Sequence, residues 1–213
     1  MNAMIEPCPV RTRKPRGQGA SRRGEILDAA KRLFIEEGFA HATMRRIAAE
    51  VGVSPTAIYL HFADKDAILK AIAEDFFSEL LVILRSTQHS TEPPLVRLRA
   101  GLRAYVSFGL ERADEYRLTF NGPKDRDMSL ATSCDEVDIA NMSFDVLVSA
   151  VTGLIDAGIF RPADPVLVGE SLWTCMHGVT SAAIDLQQRL QRDLWTLVDF
   201  SIDTLLNGLS CKA

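Results

Sequence analysis

Several features that would place this chain in other classes of protein are missing. No apolar run approaches the ~18 residues of a membrane-spanning helix, and no apolar stretch follows the basic residues near the N-terminus as a secretory signal requires. Alternating apolar runs bounded by turns, which mark β-strands, are also absent, as is any repeat of solenoid period. We therefore predict an all-α, cytoplasmic protein with no membrane partner.

Metal-binding and catalytic patterns are equally scarce. The four cysteines, Cys8, Cys134, Cys175 and Cys211, form no Cys-x-x-Cys pair, and no histidine stands at zinc-ligand spacing from a cysteine pair. We interpret them as buried, inert free thiols, with redox sensing by Cys134 and Cys175 as the alternative. No nucleophile–base set or phosphate-binding loop is found, so the sequence indicates no enzyme, catalytic residue, metal or cofactor.

What the sequence does contain is an uneven distribution of charge within a net charge of −4. Residues 1–62 hold ten Lys or Arg against six Asp or Glu, a charge of +4, which leaves −8 for the remainder. A basic head on an acidic body indicates that the head meets a polyanion. Residues 1–20 lack a hydrophobic period and are predicted to be a flexible basic tail. Its cluster Arg11–Arg16 is read as a solvated tail, with minor-groove binding as the alternative.

A first helix is predicted from Ser21, which we expect to be its N-cap, to a stop at Gly38. Its apolar residues recur on one helical face. They are Ile26, Leu27, Ala30, Leu33 and Phe34.

Three further helices follow at short intervals. Thr43 is expected to cap a two-turn second helix, from which Gly52 lets the chain depart with positive φ. Ser54 caps a third helix with Pro55 at its first position, and Asp64 caps a long fourth helix to about residue 86.

The second and third helices and their glycine turn form a helix-turn-helix unit, Thr43–Phe62. In such units, side chains near the start of the second helix meet base edges while cations and helix N-termini bind phosphates. The candidates are Arg45 and Arg46 for phosphates or a guanine edge, the hydroxyls of Ser54, Thr56 and Tyr59, and Ala57 for a thymine methyl group. The residues expected to hold the unit together are Ile47, Val51, Val53, Ile58 and Phe62.

This segment resembles the TetR family of regulators. The matching motifs are Ile47-Ala48-x-x-x-Gly52-Val53-Ser54, then Ile58-Tyr59-x-His61-Phe62, then Lys65 at the start of the next helix, and the likeness covers about residues 22–70. The resemblance implies a three-helix helix-turn-helix DNA-binding domain followed by a larger helical ligand-binding and dimerisation domain. The expected boundaries are 1–20 for the tail, 21–66 for the DNA-binding domain and 67–213 for the helical domain.

The resemblance also implies roles for single residues. Thr43, Tyr59, His61 and Lys65 would contact phosphates, and Arg45, Pro55, Thr56 and Ala57 would face the major groove of a palindromic double-stranded operator. Many members have Gly and Thr where this chain has Thr56 and Ala57, so base preference is not transferred. An exposed structural role for His61 is the alternative.

The remainder shows further helical periodicity. Segments are predicted around residues 95–106 and 116–120, then over about 135–157, 165–190 and 192–206, with a break at 121–123. Trp173-x-x-x-His177-Gly178 resembles a signature of one TetR subgroup. That resemblance implies that the last two helices form a four-helix homodimer interface with the partner. The residues expected to face the partner are Leu194, Leu197, Val198, Ile202 and Leu205.

An inducer cavity is expected between the other helices of the body. Its candidate lining residues are Tyr105, Phe108, Tyr116, Phe120, Met142, Phe144, Trp173, Met176 and His177. Helical spacing would place each of the aromatic residues and methionines equally well in an ordinary core. Cys175 and His177 stand two apart on one helix and point away from each other, so a shared metal is disfavoured.

Three functions are compatible with these observations. The preferred one is a homodimeric repressor whose unknown small-molecule inducer moves the two reading heads off a half-site spacing of ~34 Å. The second is a DNA-binding regulator without inducer, or an activator, gated by a protein partner. The third, an enzyme that kept a helical fold, is a remote alternative.

Overall fold

The computed structural model describes residues 19–120 and 139–211, and these fold into nine α-helices and one 3₁₀ turn. The helices are α1 (Gly19–Glu36), α2 (Met44–Val51), α3 (Pro55–Tyr59), α4 (Lys65–Gln88), α5 (Pro94–Glu111), α6 (Ala113–Phe120), α7 (Ile139–Asp156), α8 (Pro165–Asp185) and α9 (Leu194–Leu209). Within these residues, β-structure is limited to one isolated bridge between Phe160 and Ser210. The prediction of an all-α fold is confirmed.

The first helix buries its predicted face, but its start differs from the prediction. All five apolar residues of that face are at most 4% exposed. Helix α1 begins at Gly19, so Ser21 lies inside the helix and is not its N-cap. Apolar periodicity marks only the part of a helix that packs, and here the helix extends beyond that part. Gly38 has φ 81° and follows the helix end, as expected.

The later boundaries depend on caps and breakers. Asp64 caps α4 by accepting a hydrogen bond from the Ala67 amide at 2.7 Å. Helix α8 begins with Pro165, as predicted, but ends at Asp185 rather than near residue 190, because the chain tightens into a 3₁₀ turn at 187–189. Asp193 then caps α9 through the Thr196 amide at 2.9 Å.

Two hydrophobic clusters form, and α4 contributes to both of them. The N-terminal half of α4 packs Ile68, Leu69 and Ile72 with α1, α2 and α3. Four residues further on, Phe76 and Leu80 belong to the larger cluster formed with helices α5 to α9. A single helix of 24 residues therefore supports both the head and the body.

Helix α7 is the one described helix that is long and apolar enough to cross a bilayer, judged by length and composition. In this structure it packs against α4, α5 and α8. Several predictions lie outside the described residues: the basic tail up to residue 18, the break at 121–123, Cys8 and Cys134. Of the other two cysteines, Cys175 is a half-buried free thiol, whereas Cys211 is exposed and not buried as expected.

Candidate nucleic-acid interface and interior cavity

The turn between α2 and α3 is built by local caps. The Thr43 hydroxyl accepts a hydrogen bond from the Arg46 amide at 3.1 Å. Gly52 adopts φ 76° and ends α2. The Ser54 hydroxyl then accepts from the Ala57 amide at 3.3 Å and starts α3 at Pro55. These contacts set the orientation of α3 relative to α2 across a turn of only three residues, 52–54.

One side of this unit is buried and the other is open. Ile47 and Ile58 are fully buried and Phe62 is 6% exposed, so three of the expected core residues anchor the unit to α1 and α4. Val51 and Val53 are half-buried against the same cluster. The predicted DNA-contacting residues that are exposed are Thr43, Arg45, Arg46, Ser54, Pro55, Thr56 and Tyr59, and those that are half-buried are Ala57, His61 and Lys65.

The two arginines of α2 differ in their partners. Arg46 lies 3.2 Å from a carboxylate oxygen of Glu37 and 3.5 Å from one of Glu50. Within the described part of the chain, Arg45 is exposed and has no ion-pair partner. Arg45 is therefore available to an incoming anion, whereas Arg46 would have to exchange its carboxylates for one.

Lys65 has a structural environment that the sequence did not indicate. Its ammonium group donates to the carbonyl of Phe39 at 2.8 Å, with the carbonyls of Ala40 and Ala42 at 3.4 and 3.5 Å. It also lies 4.4 Å from the centre of the Phe39 ring. Lys65 thus fastens the loop between α1 and α2 to the start of α4, whether or not it also contacts a phosphate.

The body contains a cavity of about 500 Å³ among α4, α5, α7 and α8. Its walls are mainly aliphatic and aromatic. The predicted residues that line it are Tyr105, Phe120, Phe144, Trp173 and Met176, and the unpredicted ones include Phe77, Leu80, Leu84, Leu98, Leu102 and Leu147. The volume lies in the range of sites that hold small molecules.

Four of the predicted lining residues lie elsewhere. Phe108 and Tyr116 are 5% and 1% exposed and pack around Phe76, with ring centres 4.9 and 6.2 Å from that ring. Met142 lines a neighbouring cleft. His177 lies behind the cavity wall, with its ring 5.3 Å from that of Trp173.

His177 joins two buried tyrosines. The Tyr116 hydroxyl lies 2.6 Å from His177 Nδ1, and the Tyr105 hydroxyl lies 3.3 Å from the same atom. Burial lowers the pKa of His177 and raises that of Tyr105 to about 12, so the imidazole and the phenol are both neutral near pH 7. Burial, and then proximity to Tyr105, also raises the pKa of Tyr116. In the neutral tautomer that carries its proton on Nε2, the Nδ1 atom accepts the hydrogen bond that Tyr116 donates.

Helix α6 connects this cluster to the head. Tyr116 and Phe120 face the body, whereas Leu118 packs against the hydrophobic cluster of the head. Glu115, next to Tyr116, lies 3.4 Å from the ammonium of Lys31 on α1. Helix α6 is therefore in contact with both the body and α1.

Part of the predicted dimer interface is wrong, because two of its residues on α9 are buried. Val198 and Ile202 are fully buried in the chain's own core, so they cannot face a partner. Helical periodicity shows which face of a helix is apolar. It does not show whether that face packs in the chain's own core or against a partner. The exposed apolar side chains on these helices are Val166, Leu167, Trp173 and Phe200.

Two short helices joined by a glycine turn, with a polar outer face and a cavity-bearing helical body behind them, define this chain as a helix-turn-helix protein. A model of the bacterial regulatory proteins of the tetR family matches residues 26–72, and one of the tetracyclin repressor-like C-terminal domain matches residues 98–205. The chain belongs to the TetR family of regulatory proteins.

Individual relatives agree with this assignment. The transcriptional activator FasR of Mycolicibacterium smegmatis is 33% identical over 99 residues, which is 46% of this chain and 45% of FasR. The transcriptional repressor KstR2 of Mycobacterium tuberculosis is 37% identical over 83 residues, 39% of this chain and 42% of KstR2. The aligned part thus spans less than half of each of these relatives. A Rhodococcus sp. RHA1 protein of unknown function superposes with a TM-score of 0.75 at 25% identity, covering 93% of this chain and all of that one.

Proposed function

We propose that this chain is a cytoplasmic, homodimeric repressor that binds a palindromic DNA operator and is released from it by a small-molecule inducer. The observation that carries the proposal is the two-sided character of α3. Ile58 is fully buried and fixes the helix, while Thr56 and Tyr59 on its open side are free to meet DNA. An exposed helix N-terminus with polar side chains is what major-groove recognition requires.

The contacts are assigned by position in the unit. Thr43, Tyr59, His61 and Lys65 bind phosphates, and Arg45, Pro55, Thr56 and Ala57 meet base edges. The 56% exposure of Tyr59 and the unpaired guanidinium of Arg45, among the described residues, support these roles. The carboxylates beside Arg46 support a weaker part for that residue.

Release by a ligand is supported by the cavity and by α6. The cavity is large enough for a small molecule, and Phe120 on α6 lines it. A ligand that displaces α6 would act on α1 through Leu118 and the Lys31–Glu115 ion pair. The inducer then favours a body conformation in which the two heads no longer match the operator.

The first prediction concerns binding to DNA upstream of the protein's own gene, measured by mobility shift at fixed salt. We expect Tyr59→Ala to weaken saturable binding roughly tenfold or more, because a hydrogen bond to a charged phosphate is lost. Val82→Ala, which alters a side chain 68% exposed on α4, is the matched control and should bind as the wild type does.

Lys65→Met is tested by mobility shift and by thermal unfolding, because Lys65 is assigned both a DNA contact and a structural contact. It should weaken DNA binding and also lower the unfolding temperature, because its ammonium holds the loop at Phe39. Tyr59→Ala should leave the unfolding temperature unchanged. Equal affinity of Tyr59→Ala and wild type for the operator would contradict the proposed interface.

An activator is the second candidate, and the name of FasR favours it. Transcription from the upstream promoter in a purified system separates the two. A repressor lowers transcript yield when it is added, and an activator raises it.

A further inference from the structure

A second cleft adjoins the apolar cavity. It has a volume of about 620 Å³ and lies where the end of α4, the start of α5 and the outer side of α7 meet. Gln88, Val146 and Ala150 line both the cavity and the cleft. The cavity and the cleft are therefore neighbours that share these three residues as a boundary, and an elongated ligand that occupies both spaces passes along it.

The cleft differs from the cavity in charge. Its lining includes the guanidinium groups of Arg85 and Arg97 and the imidazole of His89, with Asp145 as its carboxylate. Several other arginines of the body pair with carboxylates, among them Arg99 with Asp203, Arg103 with Asp199 and Arg117 with Asp185, whereas the described arginines at 161, 189 and 192 are exposed and have no ion pair. Within the described residues, Arg85 and Arg97 have no such ion-pair partner.

Arg97 carries a further sign of a missing partner. Its Nε atom is buried and has no hydrogen-bond acceptor among the described residues. Its Nη1 atom donates to the Ser90 carbonyl at 3.3 Å, which holds the guanidinium at the rim of the cleft. Because buried donors are nearly always paired in folded proteins, an unpaired one calls for an explanation. An anionic group in the cleft would supply one once the guanidinium turned its Nε towards that group, since guanidinium binds carboxylate and phosphate through several N–H donors.

The cavity suits the opposite kind of group. The side chains of Leu80, Leu98, Leu102, Phe144 and Leu147 surround it, and its polar lining groups are few. Burial of an unsubstituted hydrocarbon body there stabilises the complex in proportion to the apolar area removed from water. A uniformly polar ligand would lose its hydrogen bonds to water without replacing them.

We propose that the ligand of this protein is an amphipathic anion, with its hydrocarbon body in the cavity and a carboxylate or phosphate head in the cleft at Arg85 and Arg97. This inference rests on the proposed function, because it names the chemical class of the inducer. In this proposal, burial of the hydrocarbon body in the cavity provides the affinity for the ligand. The cleft determines which head group is preferred.

Three probes with one chain length test the assignment: dodecanol, titrated calorimetrically below its solubility limit, and laurate and dodecyl phosphate, each titrated below its micelle concentration. The wild type should bind one or both anions roughly tenfold or more tightly than dodecanol, as a charge-assisted hydrogen bond would give. The ratio between laurate and dodecyl phosphate then shows which head the cleft prefers.

Variants locate the head group. Arg97→Met and Arg85→Met should each lose most of the preference for an anion while binding dodecanol as the wild type does. Asp145→Asn, which removes the carboxylate from the cleft, should strengthen anion binding. Arg161→Met changes an exposed arginine outside the cleft by the same charge and serves as the matched control. Thermal unfolding of each variant checks that it is folded.

The outcomes are separable from those of the operator assay. Equal affinity for dodecanol and both anions, no binding of any probe, or the same preference for an anion in Arg97→Met as in Arg161→Met overturns the inference. A protein that gives any of these results and still binds its operator keeps the proposed DNA-binding function. A protein that prefers the anions but fails to bind DNA loses the proposed function and keeps the anion site.

Discussion

At the scale of single residues, one half-buried imidazole links three helices of the body. His177 accepts a hydrogen bond from Tyr116 on α6 and approaches Tyr105 on α5, and its ring packs against Trp173 beside the cavity. The Nδ1 atom can accept the hydrogen bond from Tyr116 only while it carries no proton. Protonation would therefore oppose the contacts that join α5, α6 and α8.

This arrangement predicts a specific pH dependence of stability. Burial lowers the pKa of His177 in the folded protein below its usual 6.5. The unfolded chain then binds the proton more readily, so stability present above about pH 6.5 is lost as the pH falls towards the lower pKa of the folded protein. Denaturant unfolding of the wild type at pH 7 and pH 5 should show this loss.

His177→Asn provides the comparison, because an amide oxygen can accept from Tyr116 but does not titrate in this range. Its unfolding free energy should fall less between pH 7 and pH 5 than that of the wild type. Identical pH dependence in the two proteins would show that His177 does not couple folding to protons.

At the scale of secondary-structure elements, the head depends on one left-handed residue. Gly52 has φ 76° and lets α2 end one turn before α3 begins. A side chain at this φ costs about 1–2 kcal/mol, so Gly52→Ala should lower the unfolding free energy by about that amount. Chemical denaturation measures it directly.

Gly24 offers a matched control for this prediction. It lies inside α1 with right-handed backbone, and a Cβ atom there would meet nothing within 4 Å. Gly24→Ala should leave stability unchanged or raise it by up to about 1 kcal/mol, since alanine favours helix. If both substitutions had the same effect, the backbone conformation at Gly52 would not be the cause.

The same elements show what the sequence could and could not predict. Each of three capping side chains accepts a hydrogen bond from the amide three residues further on, so the local sequence was enough to predict these caps. They are Thr43, Ser54 and Asp64. The bond from Lys65 to the Phe39 carbonyl spans 26 residues and has no local signal. The helical period also cannot separate a side chain that lines a cavity from one that fills a core.

Phe77 and Phe108 illustrate that last limit. Both lie on apolar helix faces and both are buried, yet Phe77 borders the cavity and Phe108 packs among other rings. Which of them is left facing empty space depends on how four helices meet. The same holds for Val198, which faces the chain's own core rather than a partner.

At the scale of the whole molecule, the exposed apolar side chains of α8 and α9 predict where two copies meet. Phe200 on α9 is 69% exposed. A carboxylate placed there would be buried without a partner in a dimer, so Phe200→Glu should yield monomers in sedimentation velocity. The same variant should lose affinity for a two-half-site operator.

Val82→Glu is the control, since Val82 has nearly the same exposure, 68%, but lies on α4. It should sediment as the wild type does. If Phe200→Glu and wild type formed dimers of equal stability, the dimer would have to use another surface.

The continuity of α4 limits how such a protein can be recombined. Because one helix of about 36 Å carries side chains of both hydrophobic clusters, no junction exists at which a foreign head could be joined through a loose linker. A chimaera must be spliced inside α4, and one inserted residue would rotate the head by about 100° relative to the body. Exchange of the head of this protein is thus governed by helical phase, and a splice that keeps the residue count of α4 preserves the angle between head and body.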